Sequence, residues 1–178
     1  GGGVGIVDRD AAVPDLQAYA DAAQALIGNR KLKLVLEPGR SLVGNAGTLL
    51  TKVEFVKTGE EKNFVMVDAA MNDLMRPALY DAYHHIATVE QKDITPFTAD
   101  VVGPICETGD FLGKDRELAC EAGNLLAISS AGAYSASMAS NYNTRNRAAE
   151  VMVNGHEAHL IRQRETLEQQ MANELACL

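Results

Sequence analysis

The chain has 178 residues, 47% of them apolar and 22% charged, with a formal net charge of −8. That is enough apolar chain for a domain with a real core, and the negative balance argues against non-specific binding to nucleic acid or an anionic membrane. An anionic ligand stays open, because the charge of a pocket is local. No apolar run approaches the roughly 18 residues of a membrane-spanning helix, and no signal-peptide pattern is visible in these residues. Cys106, Cys120 and Cys177 show no CxxC spacing, which points to a reduced, cytoplasmic setting.

The chain opens on Gly1-Gly2-Gly3-Val4-Gly5. Such a loop permits positive φ and can turn backbone N–H groups toward a phosphate. The dinucleotide spacing GxGxxG does not occur. A glycine loop normally follows a strand that places it, so the 178 residues are expected to be the downstream part of a longer polypeptide; a flexible glycine linker is the alternative. Residues 14–27 predict a helix, with Pro14 in its first turn, Leu16, Tyr19, Ala23 and Leu26 on one face, and Gly28-Asn29 as its stop. Residues 31–36 predict a buried strand. Glu37-Pro38-Gly39-Arg40 follows directly, its Pro-Gly turn fixing where the two charged side chains point; a plain surface turn is the other reading.

From residue 46 the pattern changes to β. Residues 48–57 and 63–68 predict a hairpin around Thr58-Gly59-Glu60-Glu61. Residues 69–80 have no clean period, but Arg76 and Tyr80 are spaced for one face of a helical turn. A guanidinium and a phenol placed together can hold a carboxylate; a surface Arg beside a half-buried Tyr is the alternative. His84-His85 precede a short strand at 86–89 and face opposite ways, without partners at metal-binding spacing, so no metal is expected. Residues 91–98 read as a polar connection. Residues 99–105 predict the strand that delivers Cys106 and Glu107 into a turn closed by Gly109 and Asp110. A thiol beside a carboxylate can be a proton-donor pair or a nucleophile, and a free Cys can also be a small buried hydrophobe.

Residues 111–118 read as polar and exposed, and 125–129 as a buried strand. The small residues of 132–140 suggest close packing against a ligand or another backbone. Arg145 and Arg147 fit an exposed loop. Residues 148–153 and 156–161 predict a hairpin whose Asn154-Gly155 pair is a type I′ signal, and residues 162–178 a polar amphipathic helix. The sum is an antiparallel β region of about seven strands behind an α/β segment. Three clusters, at 37–40, 101–110 and 132–143, are expected to wall one pocket for a ligand bearing phosphate and carboxylate.

Taken in series, GGGVG, EPGR, MNDLMRPALYDAYH, CETGD, GAYSASMASNYN and RAAEVMVNG resemble the diaminopimelate decarboxylases, pyridoxal-phosphate enzymes of the alanine-racemase-like fold. The resemblance runs the length of the chain. It implies a mostly β fold: residues 1–41 the last part of a (β/α)8 barrel, and residues 42–178 a C-terminal antiparallel β domain, sandwich- or barrel-like, whose terminal helix packs back on the barrel. It implies pyridoxal 5′-phosphate as cofactor, an amino-acid substrate and a head-to-tail homodimer with shared active sites. Carried over by position, Gly2 and Gly3 cradle the cofactor phosphate, Glu37 faces the pyridine nitrogen, and Gly39 and Arg40 hold phosphate or substrate carboxylate. Arg76 and Tyr80 bind substrate, and Tyr134 lies near phosphate and substrate. Cys106 and Glu107 cross the dimer interface, Cys106 toward the reacting carbon and Glu107 toward the distal amino group. The reaction implied is loss of CO2 from the D-configured carbon of meso-2,6-diaminopimelate, giving L-lysine.

Two departures stand out. The family's cofactor-bearing lysine sits on an early barrel strand, and none of Lys31, Lys33, Lys52, Lys57, Lys62, Lys92 and Lys114 matches it, so these 178 residues alone are expected to be inactive. CETGD carries Thr108 where the family often has Ser. Another basic amino-acid decarboxylase of the same fold, or a non-catalytic β domain, are the competing readings.

Overall fold

The computed structural model describes residues 3–6 and 14–178. Among the described residues, eight strands form a six-stranded sheet and a separate hairpin. The sheet comprises β1 (Leu49–Lys57), β2 (Phe64–Val67), β3 (Ile86–Thr88), β4 (Phe97–Val102), β5 (Phe111–Leu118) and β6 (Leu125–Ile128), in the order β3-β6-β1-β2-β4-β5. Its two edges approach one another: a Cβ built on Gly113 of β5 would lie 2.9 Å from Cδ1 of Ile86 in β3. The sheet is therefore nearly closed, and its interior is filled from every strand by residues such as Val53, Val65, Ile86, Val101, Leu112 and Leu126. Each such side chain contributes about 1.5–3 kcal/mol by leaving water. The mostly β, barrel-like expectation is borne out.

Strand β1 shows how local pattern sets this arrangement. Thr51 and Val53 point inward while Lys52 and Glu54 point out. The pairing of Val53 with Val67 and of Phe55 with Met66 leaves one extra residue in β1, a bulge that bends the strand toward closure.

Several expectations need correction. The sheet is mixed, because β2 and β4 run parallel. Parallel neighbours need a long crossover, and the chain between Val67 and Phe97 supplies it, carrying α3 (Arg76–Tyr80) and β3 on the way. Strand β4 begins at Phe97, inside the expected polar connection, and ends at Val102, before the expected limit of 105. Residues 111–118 are not an exposed polar stretch. They form β5, with Leu112, Gly113 and Leu118 buried, and its outward Asp115 shares Lys62 with Asp100 of β4, Nζ lying 3.3 Å and 2.8 Å away.

Residues 31–36 form no strand and are exposed. An apolar run becomes a strand only when neighbours complete its ladder, and none of the described strands pairs with it. Helix α1 (Leu16–Ile27) forms as expected, capped by the Asp15 side chain on Ala18 N, but buries no residue.

The last hairpin, β7 (Glu150–Asn154) with β8 (Glu157–Arg162), is present with a different turn. Asn154 pairs with Glu157, so Gly155 and His156 are the loop. Of these two only Gly155, at φ 60°, has positive φ, the pattern of a type II′ turn rather than type I′. The terminal helix is two short ones, α4 (Leu167–Gln170) and α5 (Ala172–Leu175), after β8 has extended through Arg162. A capping box joins Thr166 to Gln169, and Met171 at φ −91°, ψ 4° breaks the helix.

Candidate functional site

Gly2 lies outside the described residues. Gly3 is exposed at φ 94°, a conformation that favours glycine. Glu37 is exposed. The turn at 37–40 opens helix α2 (Gly39–Val43), with Ser41 N and Oγ both bonding Pro38 O at 2.9 and 2.8 Å. Arg40 is half-buried, and its Nε is buried without a hydrogen-bond partner among the described residues. A guanidinium N–H in that state lacks an acceptor.

Helix α2 is held against the strand end that follows β6. Gly132 N donates to Gly44 O and Ala131 N to Gly47 O, at 2.9 and 2.8 Å. A Cβ on Gly132 would overlap Val43 O and Gly47 N. The small-residue stretch thus packs against backbone, one of the two expected reasons for its composition.

Arg76 and Tyr80 occupy one helical turn, as the spacing predicts. The turn ends at Asp81 in the left-handed region, and Pro77 anchors it in the core. The Arg76 guanidinium lies 6.0 Å from the ring centroid of Tyr134, within cation–π range. Tyr80 and Tyr134 are exposed. Tyr134 itself has φ 61°, strain that a non-glycine residue bears only where its surroundings impose it.

Cys106 and Glu107 are exposed on the loop between β4 and β5. Buried residues hold the loop on both sides, Ile105 at 6% and Asp110 at 4% exposure. Glu107 N donates to Ile105 O and Asp110 N to Glu107 O, at 2.8 and 3.0 Å. The Glu107 carboxylate accepts from Gly109 N and from Tyr142 Oη, both at 3.4 Å.

Side-chain contacts thus join Arg76 to Tyr134 and Glu107 to Tyr142, while Arg40 lies on α2. An open cavity of about 390 Å³, lined by Arg147, Arg162, Gln163, Glu165 and Gln169, contains none of the predicted residues.

Arg145 is the residue that the sequence reading missed. It does not sit in an exposed loop. Its Nε donates to Asn72 Oδ1 at 2.9 Å and its Nη2 to Asp68 O at 2.5 Å, with Asp73 Oδ2 at 3.7 Å. Buried Asn72 also donates to Ser140 O at 3.1 Å and accepts from Ser140 N through its own carbonyl at 3.1 Å. These bonds tie the segment before α3 to the one bearing Tyr142. No spacing signal could reveal them, because the partners are far apart in the chain.

Burial pushes the carboxyl groups of Asp73 and Asp110 above the usual range, against backbone N–H bonds and the nearby Arg145 charge. Asp68 runs the other way: burial raises it, but the Thr51 hydroxyl and Lys52 N–H outweigh that and hold it low. An acid whose pKa is raised on folding stabilises the fold most below its unfolded value, near 3.8, and loses that contribution as pH rises through the folded value. The double variant Asp73→Asn, Asp110→Asn is therefore expected to gain stability relative to the parent on going from pH 3.5 to pH 6. Urea unfolding across that range checks it, and parallel profiles would sink the idea.

Residues 7–132, more than half of the chain, match the family described as pyridoxal-dependent decarboxylase, C-terminal sheet domain. A diaminopimelate decarboxylase of Neisseria meningitidis is 80% identical over all 178 residues, and one of Pseudomonas aeruginosa 55% identical over 174. The solved structure of a diaminopimelate decarboxylase variant from Helicobacter pylori, complexed with L-lysine, superposes with a TM-score of 0.91 at 39% identity over 99% of this chain. The chain spans 44% of the Neisseria and Helicobacter proteins and 42% of the Pseudomonas protein. The resemblance read from the motifs is borne out, and the chain belongs to the pyridoxal-dependent decarboxylases, whose C-terminal sheet domain it carries.

Proposed function

We propose that this chain supplies the sheet-domain share of a diaminopimelate decarboxylase, which takes meso-2,6-diaminopimelate to L-lysine and CO2 in the cytoplasm. The observation that carries the reading is the display of Cys106 and Glu107, an exposed thiol and carboxylate on a loop anchored by buried residues, in a chain 80% identical to a relative of that name. Residues 1–41 are read as barrel sequence and 42–178 as the β domain.

The cofactor fits the residues present. The buried, unpartnered Nε of Arg40 offers a donor to an anion, which the phosphate of pyridoxal 5′-phosphate or a substrate carboxylate provides. By the family resemblance, the backbone of Gly3 and Gly39 would add phosphate contacts with Tyr134 near them, and Gly2 carries the same expectation from sequence alone. When bound, the cofactor supplies a protonated pyridine ring that accepts the electron pair left by departing CO2. Glu37, which the resemblance sets toward the ring nitrogen, would favour a proton there, because a neighbouring anion stabilises the cationic form.

Arg76 and Tyr80 hold a substrate carboxylate, with the Tyr134 ring limiting where the guanidinium can go. Cys106 delivers a proton from Sγ to the substrate α-carbon. Glu107 accepts hydrogen bonds from the distal ammonium, so an analogue lacking that group leaves a desolvated carboxylate unpaired. In a head-to-tail dimer, Cys106 and Glu107 reach the site of the partner subunit.

The test is decarboxylation by the full-length gene product with pyridoxal phosphate, given meso-diaminopimelate, L-ornithine, L-arginine and L-lysine in turn. Turnover of diaminopimelate alone is expected, and preferred turnover of another of these amino acids would overturn the assignment. Arg76→Ala is expected to raise the KM for diaminopimelate about 10- to 100-fold, the value of a lost charged hydrogen bond. Arg76→Lys should restore little of it, since an ammonium cannot make the two-pronged contact. An unchanged KM in Arg76→Ala would remove Arg76 from the substrate site.

A further inference from the structure

We propose that Asp110 is a positioning residue for this reaction: its carboxylate clamps the Cys106–Glu107 loop to the segment leading into α3. The inference rests on the decarboxylase reading. Asp110 is 4% exposed. Its Oδ2 accepts from Ile105 N at 2.6 Å, and its Oδ1 from Met71 N at 2.7 Å. The first donor is the residue before Cys106, and the second belongs to the crossover that carries Arg76. Asp110 also closes the loop through its backbone, accepting from Gly103 N at 3.2 Å and donating to Glu107 O at 3.0 Å.

A second observation comes from Gly103. A Cβ there would lie 2.5 Å from Asp110 Oδ2 and 2.7 Å from both Ala69 O and Ala70 Cα. The end of β4, the carboxylate and the 69–71 segment are therefore in direct contact, with no room for a side chain between them.

A buried carboxylate is costly unless hydrogen bonds compensate it. Here two N–H groups from segments far apart in sequence do so, and Arg145, bonded to Asn72 and Asp68 O, is the nearby cation that favours its charge. Asparagine has the same outline but can accept with only one of its two terminal atoms. Its NH2 would face an N–H, so one of the two anchors is lost and a donor meets a donor. The loop would then present Cys106 and Glu107 in a looser range of positions.

The test uses the holoenzyme. Asp110→Asn is expected to raise the KM for diaminopimelate about tenfold with cofactor absorbance retained, and to raise it less than about twofold when Glu107→Gln is already present, the non-additivity of groups acting as one. A merely structural role would reduce the active fraction and leave KM alone. An unchanged KM, or the same rise in both backgrounds, overturns the proposal. Amide hydrogen exchange needs no turnover: at Ile105 and Met71 it is expected to be about tenfold faster in Asp110→Asn, and unchanged rates overturn the clamp. Failure of the parent enzyme to consume diaminopimelate would overturn the functional reading instead, and the exchange rates would still decide whether Asp110 holds the loop.

Discussion

Replacing Cys106 by serine is expected to lower kcat for diaminopimelate by about 10²–10⁴-fold, the usual worth of a positioned acid, while KM changes little. The thiol is exposed at the tip of a loop held by Ile105 and Asp110, so serine fits without disturbing the core. What changes is acidity: an alkyl hydroxyl is a far weaker acid than a thiol. The adjacent Glu107→Gln should show the opposite signature, a raised KM with a smaller loss in kcat, because it removes a contact to a distant part of the substrate. Initial rates of lysine formation across substrate concentrations separate the two. A kcat within about twofold of the parent for Cys106→Ser would remove Cys106 as the acid.

The second large effect belongs to a residue with no chemistry. Gly132→Ala is expected to destabilise the domain by about 1–3 kcal/mol, the range of overpacked cores, and to weaken cofactor binding together with it. The added methyl would overlap Val43 O and Gly47 N, backbone atoms that cannot rotate away. Relief requires α2 to move outward, breaking the bonds from Gly132 N to Gly44 O and from Ala131 N to Gly47 O. Arg40 lies on that helix, so stability and cofactor affinity should fall together. Thermal unfolding with and without pyridoxal phosphate, and cofactor titration, would show it. Gly132→Ala with parental stability and affinity would mean that α2 is not held as described.

The strand pattern was legible where neighbours in sequence are neighbours in space. The β1–β2 hairpin, β6 and the β7–β8 hairpin all follow from alternation and turn residues. Misreadings cluster where the pairing partner is remote. Residues 111–118 look polar because Lys114, Asp115 and Glu117 face solvent, and the ladder with β4 makes them a strand. The parallel β2–β4 pair has no local signature, since parallel strands meet through a long crossover. The type II′ turn followed from register: pairing Asn154 with Glu157 put Gly155 first in the loop.

The candidate site divides the same way. Its reactive groups could be named from the sequence, because a residue's chemistry is carried by its type: the thiol of Cys106, the carboxylates of Glu37 and Glu107, the guanidinium groups of Arg40 and Arg76. The motifs also named the family, because six short patterns in order are specific together. Only the tertiary structure decided which of those groups meet and what holds them. Arg76 stacks toward Tyr134, Glu107 accepts from Tyr142, and Asp110, Asn72 and Arg145 tie together segments remote in sequence. Hydrogen bonds and packing act over a few ångströms of space, whatever the distance along the chain, so residue type is written in the sequence and contact is written in the fold.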